Sequence, residues 1–451
     1  MKFNLSIDTE LDTTVLKKIL EKDKADTARY VKLENYYRGQ HTAILSKKVS
    51  NSAAPNNKIV NPYPSYIVDT LSGYMVGEPI TYSSTDEDAL AALVDVLSYN
   101  DGAAEDMSIA RDLSIYGSAY ELLYIDALGD TRFIKVSARD MIIIYDDTIE
   151  QNIIYAIRKV PCYDIVKDKH YNKIEVYSAE SIKYYTADEA FSTITFKEEK
   201  PHFFGDVPVV EYKNNEMEIG DYETIIPLID AYDRLESDSL DDYDSFVDAY
   251  MILRGVNLGN SEEDMRDAVK KFQEQRVMVF PDGESSVEYL TKDSSDTIVE
   301  NLKNRISADI HKFAKVPDLA DKEFASNASG IAIKFKLYGT ETLVANKERF
   351  FLKGLQRRIE LIFNILNIKG NSYSWQDIEV QFTRNVPTNE SEIADVVQKL
   401  SGTVSTETLL AQIPFVTDVG AEMEKLEGDK SRNPFYNLAL ETEGVSEDEE
   451  V

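Results

Sequence analysis

A single cysteine, Cys162, stands among 451 residues, which excludes an internal disulfide framework and is compatible with a reducing compartment. The four histidines, His41, His170, His202 and His311, are scattered and H-E-x-x-H is absent, so no metal cluster is expected. G-x-x-x-x-G-K-[ST], G-x-S-x-G and the dinucleotide glycine pattern are missing as well, and the chain reads as a non-enzyme without a cofactor. No apolar run approaches the roughly 18 residues of a membrane span, and the N-terminal MKFNLSIDTELDTT lacks the basic and apolar regions of an export signal. Positive charge is scarce: 49 Lys and Arg face 81 Asp and Glu, a formal charge of −32. That balance weighs against gripping nucleic acid through a broad basic footprint, so any contact with DNA has to be local or non-adhesive.

What the chain does have is enough apolar and aromatic material for real cores, 43% hydrophobic with 27 Tyr and 18 Phe, and length for two to four compact regions. Between Asp221 and Tyr250 it also has ten acids against one base, Arg234. At about 100° per residue, Asp230, Asp233, Asp241, Asp244 and Asp248 share a stripe about 80° wide, while Leu228, Tyr232, Leu235, Tyr243, Phe246, Val247 and Tyr250 gather opposite. Like charges four residues apart cost a few tenths of a kcal/mol each, and within this helix nothing compensates them. Two readings follow: a solvated acidic face, or a wall that faces something anionic without holding it. Asp242-x-Asp244 as a Mg²⁺ site is disfavoured, because no His or Lys partner accompanies it.

Along the chain, helices are expected over Glu10 to Tyr37, Ser65 to Val76, Ala89 to Leu97 and Ala103 to Tyr116, the last closed by Gly117. The period then changes to two. Strands are expected over Ala119 to Asp126, Arg132 to Val136, Met141 to Tyr145, Ile153 to Val160, Lys173 to Ser178, Ser181 to Thr186 and Ala190 to Lys197, with Asp206 to Tyr212 closing an antiparallel region. After the acidic helix comes a small α+β insert, with a hairpin signature from Arg276 to Phe280 through Pro281-Asp282-Gly283 to Val287 to Leu290. A second long helix, Asp296 to about Lys315, has Val299, Leu302, Ile306, Ile310 and Phe313 as its apolar seam. Its bases Lys303, Arg305, Lys312 and Lys315 are expected to pair with the acidic helix of the same or an adjacent copy. Val316-Pro317 stops it, and Asp318 to Gly330 is small, polar and mobile in character. A very long helix follows from Ile331 to Leu366, whose Lys334, Lys336, Lys347, Arg349, Lys353, Arg357 and Arg358 read as a solvated basic face in preference to a phosphate site. A strand is expected over Ile378 to Phe382, then short helices and an acidic tail.

Several stretches together resemble a known family. They are Lys58-Ile59-Val60-Asn61, Ile67-Val68-Asp69-Thr70, Gly73-Tyr74-Met75-Val76-Gly77-Glu78-Pro79 and Gly117-Ser118-Ala119-Tyr120. Further on come His202-Phe203-Phe204-Gly205-Asp206-Val207-Pro208-Val209-Val210-Glu211-Tyr212 with Asn214-Asn215, then Ser329 to Leu337, then Phe382-Thr383-Arg384-Asn385-Val386-Pro387. Their order over residues 55 to 430 is similar to that of the portal proteins of tailed bacteriophages, in the siphophage class.

The resemblance implies an α+β portal fold in a ring of about a dozen copies, or thirteen in isolation, at one vertex of a phage head. It implies a wing over 1–220, stem helices over 221–250 and 293–315, and a clip over 251–292. A tunnel loop over 316–330, a wing helix and strand over 331–388, a crown over 389–428 and a disordered tail over 429–451 complete the set. The acids Asp230, Asp233, Asp241, Asp244 and Asp248 would then line a channel for double-stranded DNA, which a repulsive wall keeps from sticking. The loop residues Asp318, Lys322, Glu323, Phe324, Ala325, Ser326, Asn327, Ser329 and Gly330 would move. Tyr232, Leu235, Tyr243, Phe246, Leu302, Ile306 and Ile310 would pack subunits together. Implied partners are further copies of the chain, DNA, the terminase large subunit, a head-completion adaptor, and the major capsid and scaffolding proteins, with no membrane. Implied location is the virion, after assembly in the host bacterial cytoplasm. An acidic scaffold without a channel and a metal-dependent nucleic-acid enzyme remain as alternatives. A ring with a central hole would separate the portal reading from both.

Overall fold

A computed structural model describes residues 2–6, 9–49, 54–247, 250–254, 261–263, 266–267, 270, 286–290, 296–319, 330–385, 390–410, 413, 416 and 419–432. It is an α+β structure in two compact units, residues 1–319 with 337–385, and 320–336 with 386–451.

The first unit opens with a two-residue strand, β1 (Phe3–Asn4), and the helix α1 (Thr13–Tyr37), which Asp12 caps by accepting the Val15 N–H at 2.7 Å. After a single turn, α2 (Thr42–Leu45), and an extended stretch comes α3 (Tyr63–Val76), which Pro64 helps start at the first turn. β2 (Thr81–Ser84) leads to α4 (Glu87–Tyr99), capped by Asp86 through Ala89 N–H at 3.0 Å, and then to α5 (Gly102–Tyr116). Gly117 ends α5 at φ +85°, where an added Cβ would lie 2.1 Å from the Glu218 carbonyl oxygen. Only glycine fits there.

Two antiparallel systems follow. β3 (Ser118–Ile125) pairs with β4 (Thr131–Val136) and, on its other side, with β10 (Val209–Lys213). β5 (Met141–Tyr145), β6 (Ile153–Asp164), β7 (Lys169–Tyr177), β8 (Ser181–Asp188) and β9 (Ile194–Pro201) form a meander, and β1 adds to β5 in parallel. The strands expected between Ala119 and Tyr212 are all present, with β9 beginning later than expected. Phe191 at φ +58° and the bond from Thr193 N–H to Asp188 Oδ1 make a turn of residues whose apolar members suggested a strand. Edge strand β9 carries Lys197, Glu198, Glu199 and Lys200, and that density of charge discourages pairing with another chain.

Next come α6 (Ile226–Val247), the strand pair β11 (Tyr250–Arg254) and β12 (Ser286–Leu290), α7 (Asp296–Ala314) and α8 (Gly330–Ile368), then β13 (Ile378–Gln381) pairing with β2. The Val287 to Leu290 strand is as expected, but its partner is β11; Arg276 to Phe280 lies outside the described residues. The second unit contributes α9 (Glu390–Leu400), α10 (Thr406–Leu410) and α11 (Val419–Arg432). Of the tail expected to be disordered over 429–451, residues 429–432 end α11 and the rest lies outside the described residues.

One large core joins α3, α5, the β3 sheet, the start of α6 and α8 from Val344 to Ile365, through residues such as Leu71, Leu113, Val210, Ile229, Phe351 and Ile362. A smaller one packs Leu16, Ile19 and Leu20 of α1 on Ile144, Ile157 and Ile174 of the meander. Two of the bases expected on a solvated face of α8 are instead buried. Lys347 donates to Asp221 Oδ2 at 2.6 Å and Ser114 Oγ at 2.7 Å. Arg358 donates to Asp106 Oδ1 at 2.7 Å and to both oxygens of Glu121 at 2.8 Å, and Glu121 also accepts from the Tyr212 hydroxyl at 3.0 Å. Helical spacing placed these cations on α8 but could not show the acids that α5, β3 and residue 221 bring to them. Such groups are tolerable inside only because every one is paired.

Candidate functional site: an acidic helix and the segment that covers it

The acidic stripe of α6 faces an extended segment of its own chain. Asn57 N–H donates to Asp241 Oδ1 at 2.7 Å, Ile59 N–H to Ser237 Oγ at 2.9 Å and Asn61 N–H to Asp233 Oδ1 at 2.8 Å. In an extended chain, alternate N–H groups point the same way about 6.6 Å apart. Residues four apart on a helix are separated by about 6 Å along its axis. The two repeats match closely enough for positions 241, 237 and 233 to take up 57, 59 and 61 in turn. Side chains of a helix thereby satisfy a strand's backbone donors, which would otherwise need water or another strand.

Other side chains lock this register. Asn57 Nδ2 reaches Asp241 Oδ1 and Asp244 Oδ2, both at 2.8 Å, and Asn61 Nδ2 adds a second bond to Asp233 Oδ1 at 3.0 Å. Lys47 Nζ lies 2.7 Å from Asp241 and 2.5 Å from Asp238. Burial opposes ionisation of Asp241, but the Lys47 and Asn57 bonds outweigh it and hold the carboxyl below its ordinary range. At the upper end, His41 Nδ1 meets Asp233 Oδ2 at 2.5 Å, the Tyr36 ring stacks on the imidazole, and the Tyr36 hydroxyl donates to Asp230 Oδ1 at 2.7 Å. Burial, then the Asp230 bond, push the Tyr36 phenol up to about 12.

This placement corrects one expectation outright. Asp233 is fully buried inside its own chain and cannot line a channel, because both its oxygens are consumed by His41 and Asn61. Asp230, Asp241 and Asp244 are half-buried and engaged by Tyr36, Lys47 and Asn57, and Asp248 lies outside the described residues. Asp242 is exposed, and Asp238 is half-exposed beside Lys47 and Arg234.

α6 packs against α7, and Lys303 of α7 bridges Glu236 at 3.0 Å and Glu300 at 2.8 Å, so this base pairs with the acidic helix of its own chain. Among the residues expected to pack subunits, Ile310 is wholly buried in its own core, which removes it from any contact with another copy. Tyr232 and Ile306 are partly buried against the same core, Tyr232 edge-on to Tyr63 at 5.3 Å, and Leu235 is half-buried. Tyr243 is 66% exposed and Leu302 42%, in company with Leu240 and Ile298, while the Phe246 side chain lies outside the described residues. Of the loop residues, Asp318 is exposed and Gly330 opens α8; Lys322, Glu323, Phe324, Ala325, Ser326, Asn327 and Ser329 lie outside the described residues.

His41, Lys47, Asn57 and Asn61 escaped sequence reasoning as functional residues. Of these only Asn61 carried a signal, as the end of the Lys58 to Asn61 stretch on which the resemblance partly rests. Among the described residues there is no cluster of His, Cys, Asp and Glu able to hold a metal ion, and no helix long and apolar enough to cross a membrane.

Comparison with known proteins bears on the whole chain. Residues 16–433 match the family described as phage portal protein, SPP1 Gp6-like. The chain is 25% identical over 465 residues to the portal protein of Bacillus phage SPP1, covering 97% of this chain and 91% of that protein. It is 23% identical over 441 residues to the portal protein of Clostridium phage phiCD119, covering 91% and 94%.

Proposed function

The chain belongs to the SPP1 Gp6-like family of phage portal proteins, and we propose that it works as a ring of about a dozen copies at one capsid vertex. Double-stranded DNA passes through that ring, inward under the terminase motor and outward at ejection. The observation that carries this reading is the pairing of α6 with α7 into a helical hairpin whose far ends run into the paired strands β11 and β12. Such a hairpin suits a stem, with residues 1–220 and 331–388 as wing, 251–292 as clip, 316–330 as tunnel loop and 389–428 as crown. The clip would meet terminase and later the head-completion adaptor, and the wing the capsid and scaffolding proteins. Leu240, Tyr243, Ile298 and Leu302 supply apolar surface that a neighbouring copy would cover.

The channel wall repels DNA in this reading, but by other acids than the stripe alone suggested. Exposed Asp242 and the outer edges of Asp238 and Glu300 face solvent, while Asp230, Asp241 and Asp244 act through the field they share with the covering segment. Negative-stain imaging of purified protein should show rings with a central hole; solid or irregular particles under all assembly conditions overturn the portal reading of this geometry. Asp242→Lys should slow packaging at ordinary salt and recover as salt rises, since fixed cations make sticky phosphate sites that salt weakens. Unchanged packaging rate and extent would end the repulsive-wall reading.

A further inference from the structure

The end of α7 is built with more fixings than a helix terminus needs. Lys315 adopts φ +56°, the left-handed conformation usual for glycine after a helix. Val316 N–H bonds back to His311 O at 3.1 Å and Lys315 N–H to Lys312 O at 3.3 Å, the two bonds of a Schellman stop. Val316 is buried, Thr340 Oγ1 donates to Lys315 O at 2.7 Å, and Pro317 prevents continuation. A lysine in that conformation is tolerated because the surroundings impose it.

Beyond this stop one side chain bonds the backbone on both sides of Asp318. The Tyr66 hydroxyl donates to Pro317 O at 2.7 Å and accepts the Leu319 N–H at 3.1 Å. The Tyr66 ring sits edge-on to His311 at 5.6 Å, and His311 Nδ1 lies 3.2 Å from Val316 O. Its neighbour Tyr63 also touches His311, at 5.8 Å, but spends its hydroxyl on Ser307 Oγ at 2.9 Å, inside α7. One phenol of the pair thus fixes the helix and the other fixes the chain leaving it.

We propose that the Tyr66 hydroxyl is a positioning group for translocation: by bonding a carbonyl and an N–H on either side of Asp318, it sets the direction in which the chain leaves α7. This rests on the reading that the segment after α7 meets DNA in the channel. Because the anchor belongs to α3, it ties the exit of α7 to a helix 251 positions earlier in the chain.

The test uses Tyr66→Phe, which keeps the ring and deletes both bonds, beside Tyr63→Phe, which deletes a hydroxyl without touching the exit. A nitroxide at Leu319→Cys, in a Cys162→Ser background, reports local motion in full-length rings. Tyr66→Phe should raise the released population of residues 317–319 about tenfold, sharpening the spectrum, because two backbone bonds are lost. Ring assembly should be unchanged and DNA packaged per prohead should drop severalfold, with Tyr63→Phe normal in both. An unchanged spectrum overturns the anchor, and a sharpened spectrum with normal packaging overturns its role in translocation. Deleting Ala325 to Ser329 separates the underlying reading: normal packaging by that deletion sinks the assignment of the segment to DNA, whatever Tyr66 does.

Discussion

Asp233 of α6 and His41, at the start of α2, are bonded at 2.5 Å with both side chains fully buried. The second carboxylate oxygen takes the Asn61 N–H and side-chain amide, and His41 Nε2 faces the Tyr36 carbonyl at 3.1 Å. The two residues lie 192 positions apart, so one contact ties the first turns after α1 to the middle of the stem helix.

Replacing Asp233 by alanine leaves the buried His41 ring and two half-buried Asn61 donors without their acceptor. Leaving a buried hydrogen-bonding group without its partner costs about 1–3 kcal/mol. Urea unfolding of Asp233→Ala should show that loss, and a protease should cut between residues 41 and 61 before the rest of the chain opens. A midpoint within experimental error of the parent would mean that the segment holds to α6 by other means.

His202 makes a contrasting pair of contacts. Its Nε2 lies 2.8 Å from Ser178 O, where it must donate, while Nδ1 accepts the Phe204 N–H at 3.2 Å. Only the neutral ring satisfies both, and burial lowers its pKa from the ordinary 6.5 despite the Ser178 bond and nearby Asp206. A group held neutral by folding contributes stability that is present above about pH 6.5 and is lost as pH falls toward the folded value, because the unfolded chain binds the proton more readily. Stability of His202→Gln, measured by urea titration between pH 7.5 and 5, should fall less steeply than that of the parent. Parallel curves would refute the assignment.

Gly354 faces the ring of Tyr212, and an added Cβ would lie 2.2 Å from its Cδ1. Tyr212 cannot yield easily, being fully buried, in ring contact with Phe351 at 5.1 Å and bonded to Glu121 beside Arg358. Overpacking of this kind costs about 1–3 kcal/mol. Gly354→Ala should therefore lower the thermal midpoint by several degrees, and adding Tyr212→Leu should recover part of it. A neutral Gly354→Ala would show that α8 can shift away from β10.

Much of this architecture was legible because periodicity reports which residues share a face. The switch from the helical period to two after Gly117 located the strands, and Gly117 marks the end of α5 by its chemistry. What periodicity cannot report is what a face meets. Asp233 and Asp241 share a stripe whether that stripe looks into a channel or onto residues 57–61, and an extended segment such as Asn57 to Asn61 has no pattern announcing that its N–H groups need acceptors. Lys347 and Arg358 were misplaced on a solvated face for the same reason, since their acids arrive from positions more than a hundred residues away. The apolar seam of α7 was correct as a seam, yet its members divide between the chain's own core and open surface.

That division gives the sharpest test of assembly. Ile310 is wholly buried, so Ile310→Ala should destabilise the monomer by about 2–5 kcal/mol through lost burial and an unfilled cavity. Leu302, on the same helix two turns earlier, is 42% exposed beside Lys303 and Glu300, and a charge there meets water while the chain is alone. Leu302→Glu should melt within about a degree of the parent yet fail to form rings in sedimentation velocity, because in a ring the new carboxylate would be desolvated against a neighbouring stem without a partner. Tyr243→Glu, on α6, should behave alike if both residues serve one contact. Rings formed normally by the doubly substituted chain would exclude this surface from the subunit boundary and leave its exposed side chains to face the channel or the capsid instead.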